Sequence, residues 1–106
     1  MESKFSVNCQ GDVAKIELCG RLDTTNAPAF QEELKKLISQ SLNRIVFLVK
    51  DLEYISSAGL RAIIFAKQKI GAHAKVYLIG AQETVLSTVK MSGLDNFMFI
   101  QDTYED

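Results

Sequence analysis

A chain of 106 residues is long enough for one domain with a substantial hydrophobic core and too short for two, so we expect a single domain over residues 1–106. The composition, 47% hydrophobic and 24% charged, is typical of a folded protein and excludes a disordered one. Twelve basic residues against thirteen acidic ones leave a formal net charge of −1, so the chain offers nucleic acid little attraction.

The beginning of the chain has the pattern of neither a secretory signal nor a membrane anchor. Residues 1–4 are polar and lead directly into a strand pattern. No apolar run approaches the roughly 20 residues that a membrane-spanning helix needs. We therefore expect a cytoplasmic protein that does not insert into a membrane.

The first two strands are predicted to form an antiparallel hairpin. Residues 5–10 and 13–19 flank Gly11-Asp12, a pair that suits a two-residue turn because glycine tolerates a positive φ at the first turn position. This turn sets a register with one apolar face and one polar face. The expected pairs on the apolar face are Phe5 with Leu18, Val7 with Ile16 and Cys9 with Ala14.

Cys9 and Cys19 are the two cysteines of the chain, and the hairpin separates them by about 17 Å at the usual strand rise. A disulfide needs Cα atoms within about 7 Å of each other. We therefore expect two reduced thiols that are small core or half-buried residues.

The rest of the chain alternates helices with strands. Helical spacing of apolar residues predicts helices at 27–39, from Ser57 or Ala58 to 70, and at 82–92. Short apolar runs predict strands at 45–49, 76–79 and 97–100, the first of them buried on both faces. The expected fold class is α/β: a mixed sheet of about five strands, formed by the N-terminal hairpin and β-α-β crossovers and covered by helices.

Residues that could carry catalysis are sparse. His73 is the single histidine and is expected on an exposed loop, and no Cys-x-x-Cys pair accompanies it. The sequence lacks the phosphate-binding loop, the dinucleotide-binding motif and the nucleophile elbow. We therefore expect no enzymatic activity, no metal site and no cofactor.

The segment 51–60 joins the predicted buried strand to the second helix and has two interpretations. In the structural one, Ser57 caps the helix and Gly59 allows the helix to approach the sheet closely. In the functional one, the start of this helix is apolar nearly all round, so that part of it is exposed beside Ser57 as a contact surface. The residues alone leave both open.

Three segments of the chain resemble the anti-sigma-factor antagonists, a family of STAS-domain proteins. The segment 51–60 resembles the family's signature, in which a phosphorylatable serine precedes a small residue and a Gly-Leu pair that opens a helix. Residues 20–23, Gly-Arg-Leu-Asp, are similar to the family's Gly-x-Leu-Asp after the second strand, and residues 91–94, Met-Ser-Gly-Leu, to its end of the third helix. The order and separations agree, so the resemblance covers essentially the whole chain.

The resemblance implies a phosphorylation-controlled protein-binding switch. The phosphorylated residue is expected to be Ser57. Its surface for binding a partner is expected to include Asp23, Thr24, Ser56, Ala58, Gly59 and Ala62. Family members commonly carry Asp where this chain has Ser56, which leaves open whether Ser56 can accept the phosphate instead.

The partners that the resemblance implies are proteins. They are an anti-sigma factor serine kinase, which the unphosphorylated form binds so that a sigma factor is released, and a phosphatase. We expect a monomer or a weak dimer. The alternative is a STAS scaffold that is not phosphorylated, or a cytosolic STAS subunit of a transport or stress-sensing complex.

Overall fold

A mixed sheet forms the centre of the computed structural model, which describes residues 4–38, 42–70 and 74–103. Within these ranges the strands lie in the order β1-β2-β3-β4-β5, with β1 antiparallel to β2 and the other neighbours parallel. This confirms the predicted α/β class. The elements are β1 (Lys4–Gln10), β2 (Val13–Leu22), α1 (Ala27–Ile38), β3 (Arg44–Ile55), α2 (Ser57–Ile70), β4 (Lys75–Ile79), α3 (Glu83–Met91), a short 3₁₀ helix (Leu94–Phe97) and β5 (Phe99–Gln101).

The N-terminal hairpin has the predicted register. Gly11 adopts a φ of 63° at the turn, and the three pairs predicted on the apolar face all occur. Ala14, Ile16 and Leu18 on β2 are buried. Cys19 is partly buried, but Cys9 is exposed, so the prediction of a core or half-buried Cys9 is wrong. The reason is that β1 is an edge strand, and Val7 on the same face also remains 36% exposed.

The helices lie on one face of the sheet. Each crossover advances by one strand in the same direction, and crossovers between parallel strands are right-handed, so α1, α2 and α3 fall on the same side. The described helices therefore cover the sheet, as expected, and they do so from this face. On the other face of β3, Val46 is nonetheless fully buried because it lies between Lys15 of β2 and Tyr77 of β4 in register, whereas Leu48 is partly exposed.

The core fills the space between the sheet and the helices. Phe30 of α1 contacts the rings of Phe5 and Phe47 edge to face, with centroid distances of 5.7 Å and 6.1 Å. Val85 and Val89 anchor α3 on the same side. Large side chains that are fully buried include Ile16, Leu22, Leu34, Ile45, Leu52, Ile63 and Leu78.

The two strands that carry the site are longer than predicted. Pairing between β2 and β3 continues past two register shifts, so that Arg21 pairs with Tyr54 and Leu22 with Ile55. Residues 51–55 therefore extend β3 and are not a connecting segment. At the C-terminal end, the 3₁₀ helix delays β5 to Phe99, two residues after its predicted start.

Two of the predictions lie outside the described residues. They are the loop position of His73 and residue 39 as the end of the first helix. Helix α1 is described from Ala27 to Ile38.

Candidate phosphorylation and partner-binding site

The carboxyl ends of β2 and β3 bring two segments of the site together. Parallel strands present their carboxyl ends at the same edge of a sheet, which is where α/β proteins usually place their functional residues. Leu22 and Ile55 are the last residues of the two strands and pair with each other. The Ser56 N–H donates to the Leu22 carbonyl at 2.8 Å, which joins the start of α2 to the loop that begins at Asp23.

Ser56 is the N-cap of α2. Its Oγ accepts a hydrogen bond from the Gly59 N–H at 3.2 Å, and its carbonyl accepts one from the Leu60 N–H at 3.0 Å. The residue is only 8% exposed. The interpretation of Ser57 as the N-cap is therefore wrong by one residue, and the expected place of Ser56 on the partner-binding surface is corrected because its side chain is buried.

Ser57 is the first residue of α2 and its side chain is exposed. A residue at this position does not supply the capping bond, since the preceding serine does so. The Ser57 hydroxyl is therefore accessible without disturbing the hydrogen bonds that start the helix.

Asp23 organises the loop between β2 and α1. Its Oδ1 accepts hydrogen bonds from the backbone N–H of Thr25 at 3.0 Å and of Asn26 at 3.3 Å. In return, the Asn26 Oδ1 accepts one from the Asp23 N–H at 2.8 Å, and the Asn26 Nδ2 donates to the Arg21 carbonyl at 2.7 Å. Asp23 and Asn26 thus hold the loop together, and Thr24 is left exposed at its tip.

Two of the expected contact residues belong to the interior. Ala62 is fully buried, and Gly59 is buried against the ends of β2 and β3. A Cβ on Gly59 would lie 2.9 Å from side-chain carbons of Ile55 and of Leu22, so this glycine allows α2 to approach the sheet closely. The expected contact roles of Gly59 and Ala62 are corrected to packing roles.

The apolar character of α2 is mostly used in the interior. The helix packs against α1 as well as β3, and its residues 60, 62, 63 and 66 are buried. Close to Ser57, only Ala58 remains half-buried. The expected apolar contact surface is therefore reduced to Ala58 at the start of the helix and the partly exposed Ile64 and Phe65 further along.

A family comparison covers nearly the whole chain. Residues 4–106 match the model of the STAS domain family. The chain belongs to the STAS domain family. The match includes every described residue of the site, from Asp23 to Ala62.

Proteins named as anti-sigma factor antagonists are similar to this chain at low sequence identity. The anti-sigma-F factor antagonist RsfB of Mycobacterium tuberculosis H37Rv is 22% identical over 94 residues, which are 89% of this chain and 77% of RsfB. The crystal structure of an anti-sigma factor antagonist from Mycobacterium paratuberculosis superposes with a TM-score of 0.87 and 19% identity, covering 96% of this chain and 87% of that chain.

A third similar protein, the anti-sigma factor antagonist SpoIIAA, has solved structures of its unphosphorylated and phosphorylated forms. Its unphosphorylated form superposes with a TM-score of 0.82 and 20% identity, covering 92% of this chain and 87% of that one. The phosphorylated form from Bacillus superposes with a TM-score of 0.74 and 19% identity, covering 92% of this chain and 90% of that one.

Three exposed residues near this site were not among the site residues expected from the sequence. The Arg21 guanidinium lies 4.5 Å from the centroid of the Tyr54 ring, and Tyr54 is 39% exposed. Arg61 is exposed on α2. The spacing of four residues from Ser57 could have identified Arg61, whereas the contact between Arg21 and Tyr54 requires the extended strand pairing.

Within residues 4–38, 42–70 and 74–103, no group of three or more His, Cys, Asp or Glu side chains is placed to hold a metal ion. In that same part of the chain, every helix is too short or too polar to cross a membrane.

Proposed function

We propose that this STAS protein is an anti-sigma-factor antagonist controlled by phosphorylation of Ser57. In the unphosphorylated form it binds an anti-sigma factor serine kinase in the cytoplasm, and a sigma factor is released. Phosphorylation of Ser57 by that kinase ends the binding, and a phosphatase restores it. The observation that carries the proposal is an exposed Ser57 directly after a buried capping serine.

The choice of Ser57 over Ser56 rests on access. A kinase must bring the acceptor hydroxyl to its own nucleotide, and the Ser57 side chain is exposed. Ser56 is buried, and its Oγ accepts the bond from Gly59 that starts the helix. Phosphorylation of Ser56 would break that bond and force a charged group into a buried site, which is strongly unfavourable.

The position of Ser57 lets the protein carry a phosphate without unfolding. A phosphoserine has a charge of about −1.5 to −2 at pH 7. The first turn of a helix attracts anions because of its unpaired N–H groups and the helix dipole. Since Ser56 continues to cap α2, the phosphate displaces no bond that the helix needs.

The same phosphate would weaken a complex. The proposed contact surface consists of Thr24, Ser57 and Ala58, with Asp23 holding the loop in place. A partner that covers these residues must remove water from the phosphate. An uncompensated buried charge is unfavourable by several kcal/mol, which is enough to separate two proteins.

The known relatives support this function. RsfB and the Mycobacterium paratuberculosis protein are named anti-sigma factor antagonists. SpoIIAA, which has the same fold, is known in phosphorylated and unphosphorylated forms. A STAS scaffold without phosphorylation is the competing function, and the experiment below separates the two.

The experiment is phosphate mapping with candidate anti-sigma serine kinases and ATP. Intact mass counts the phosphates, and fragment mass spectrometry locates them. We expect one phosphate on Ser57, none on the Ser57→Ala variant and one on the matched Ser56→Ala variant. Phosphate on Ser56, or a kinase that binds the wild-type protein without phosphorylating it, would refute the switch and favour the scaffold.

A further inference from the structure

Arg61 lies one helical turn after Ser57 on the exposed side of α2. Residues four apart on a helix are surface neighbours, with Cβ atoms about 5–6 Å from each other. Both side chains are exposed. The other residues at a spacing of three or four from Arg61 are Ala58, Ile64 and Phe65, which are apolar. Ser57 is thus the one polar neighbour of Arg61 along this helix.

Arg61 is also the cation of α2 for which the described structure shows no hydrogen bond, ring contact or ion pair. The helix contains Arg61, Lys67 and Lys69 and no carboxylate. The Lys67 Nζ donates to the Ala74 carbonyl at 3.2 Å, and the Lys69 Nζ lies 5.9 Å from the ring centroid of Phe65. Within residues 4–38, 42–70 and 74–103, Arg61 forms no ion pair.

We propose that Arg61 is the binding residue for the phosphate on Ser57. The inference rests on the proposed phosphorylation of Ser57 and adds a residue that receives the phosphate within the same chain. A guanidinium can donate two parallel N–H bonds to phosphate oxygens, which makes arginine the side chain best suited to this contact. An anion that precedes a cation by four residues is also the favourable order along a helix.

The other charged groups at this edge of the sheet are less suited to bind a phosphate, because they already contact another group or are negatively charged. The Asp23 carboxylate accepts bonds from two backbone N–H groups of its own loop and, as an anion, repels a phosphate. Glu53, near the end of β3, is a second anion. The Arg21 guanidinium lies over the Tyr54 ring at 4.5 Å, which makes Arg21 the matched control for Arg61.

The contact has a consequence for partner binding. A phosphate held by Arg61 lies beside the half-buried Ala58, between the first and second turns of α2. The modification then occupies the Arg61 side chain as well as the position of Ser57. One phosphate would thereby change the charge and the shape of the whole first turn.

The test uses protein synthesised with phosphoserine at position 57, so that no kinase is required. Phosphorus-31 NMR follows the chemical shift of the phosphate as a function of pH. A bound cation favours the doubly charged phosphate, so Arg61→Gln is expected to raise the titration midpoint by at least about 0.2 pH units. Arg61→Lys should recover part of this difference, and Arg21→Gln should leave the midpoint unchanged.

The same titration at high salt provides a second test with the same samples. In about 1 M NaCl the screening length falls to about 3 Å, and the difference between wild type and Arg61→Gln should shrink. An unchanged midpoint in Arg61→Gln, or an equal rise in Arg21→Gln, overturns the proposal. Since the phosphoserine is built in, these results are independent of the kinase. Failure of the kinase to phosphorylate Ser57 would refute the proposed function without altering the titration.

Discussion

Replacement of Ser56 by alanine tests whether this residue, and not Ser57, caps α2. The substitution removes the Oγ that accepts the Gly59 N–H bond at a buried position. Loss of an N-cap costs about 1 kcal/mol on average, and a buried N–H left without a partner raises the cost to about 2 kcal/mol. For a domain of this size, that lowers Tm by about 8 °C or more.

The assay is thermal and urea unfolding of three variants beside the wild type. Ser57→Ala should stay within about 0.5 kcal/mol of the wild-type free energy of unfolding, because an exposed hydroxyl outside the cap contributes little. Ser56→Thr should lose less stability than Ser56→Ala, because threonine keeps a neutral hydroxyl that can accept the capping bond. If Ser56→Ala unfolds like the wild type, or Ser57→Ala loses as much stability, the assignment of the cap is refuted.

Substitutions at three further residues test other parts of the structure. Gly59→Leu should lower the free energy of unfolding in urea by at least about 2 kcal/mol, because even the Cβ would lie 2.9 Å from carbons of Ile55 and Leu22. A variant as stable as the wild type would show that the site has room for a side chain. Asp23→Ala should lower the free energy of unfolding by about 1 kcal/mol, since two backbone N–H groups lose their acceptor, and Asp23→Asn should lower it less. Equal effects of the two variants would contradict the role of the carboxylate oxygen. Phe47→Ala should lose about 3–5 kcal/mol because the ring is fully buried, and a loss below 1 kcal/mol would refute its place in the core.

Short-range patterns were enough to predict most of the fold. The turn at Gly11-Asp12 set the register of the hairpin because a two-residue loop leaves a single pairing for each residue. Gly93 adopts a left-handed conformation directly after α3, and Leu94 after it is buried, which agrees with the resemblance of residues 91–94 to the family's end of the third helix. Each of these features depends on a few adjacent residues.

The extensions of β2 and β3 could not be read from the sequence. Two register shifts interrupt the pairing after Glu17, so the buried residues Leu52 and Ile55 are three apart and do not alternate as in a regular strand. Because the sequence does not indicate that pairing, it does not predict the contact between Arg21 and Tyr54.

The sequence did not indicate how the residues of the candidate site act within the fold. Ser56 and Ser57 are adjacent and chemically identical, and only the hydrogen bond to Gly59 shows which of them starts the helix. Ala62 was expected on the surface because α2 is apolar around its circumference, but the helix is enclosed by α1 and the sheet. The role of Asp23 within its loop could not be predicted from the sequence either: its carboxylate accepts hydrogen bonds from the N–H groups of Thr25 and Asn26.

The measurement that tests the central claim most directly is the affinity of the anti-sigma kinase for protein with and without phosphoserine at position 57. Isothermal titration calorimetry with the kinase and a nucleotide analogue that cannot transfer phosphate keeps both forms unchanged. We expect the phosphate to weaken binding at least about a hundredfold, which corresponds to about 2.8 kcal/mol, while circular dichroism shows the same fold. Equal affinity of the two forms would contradict the account, because Ser57 would then lie outside the surface that the partner covers.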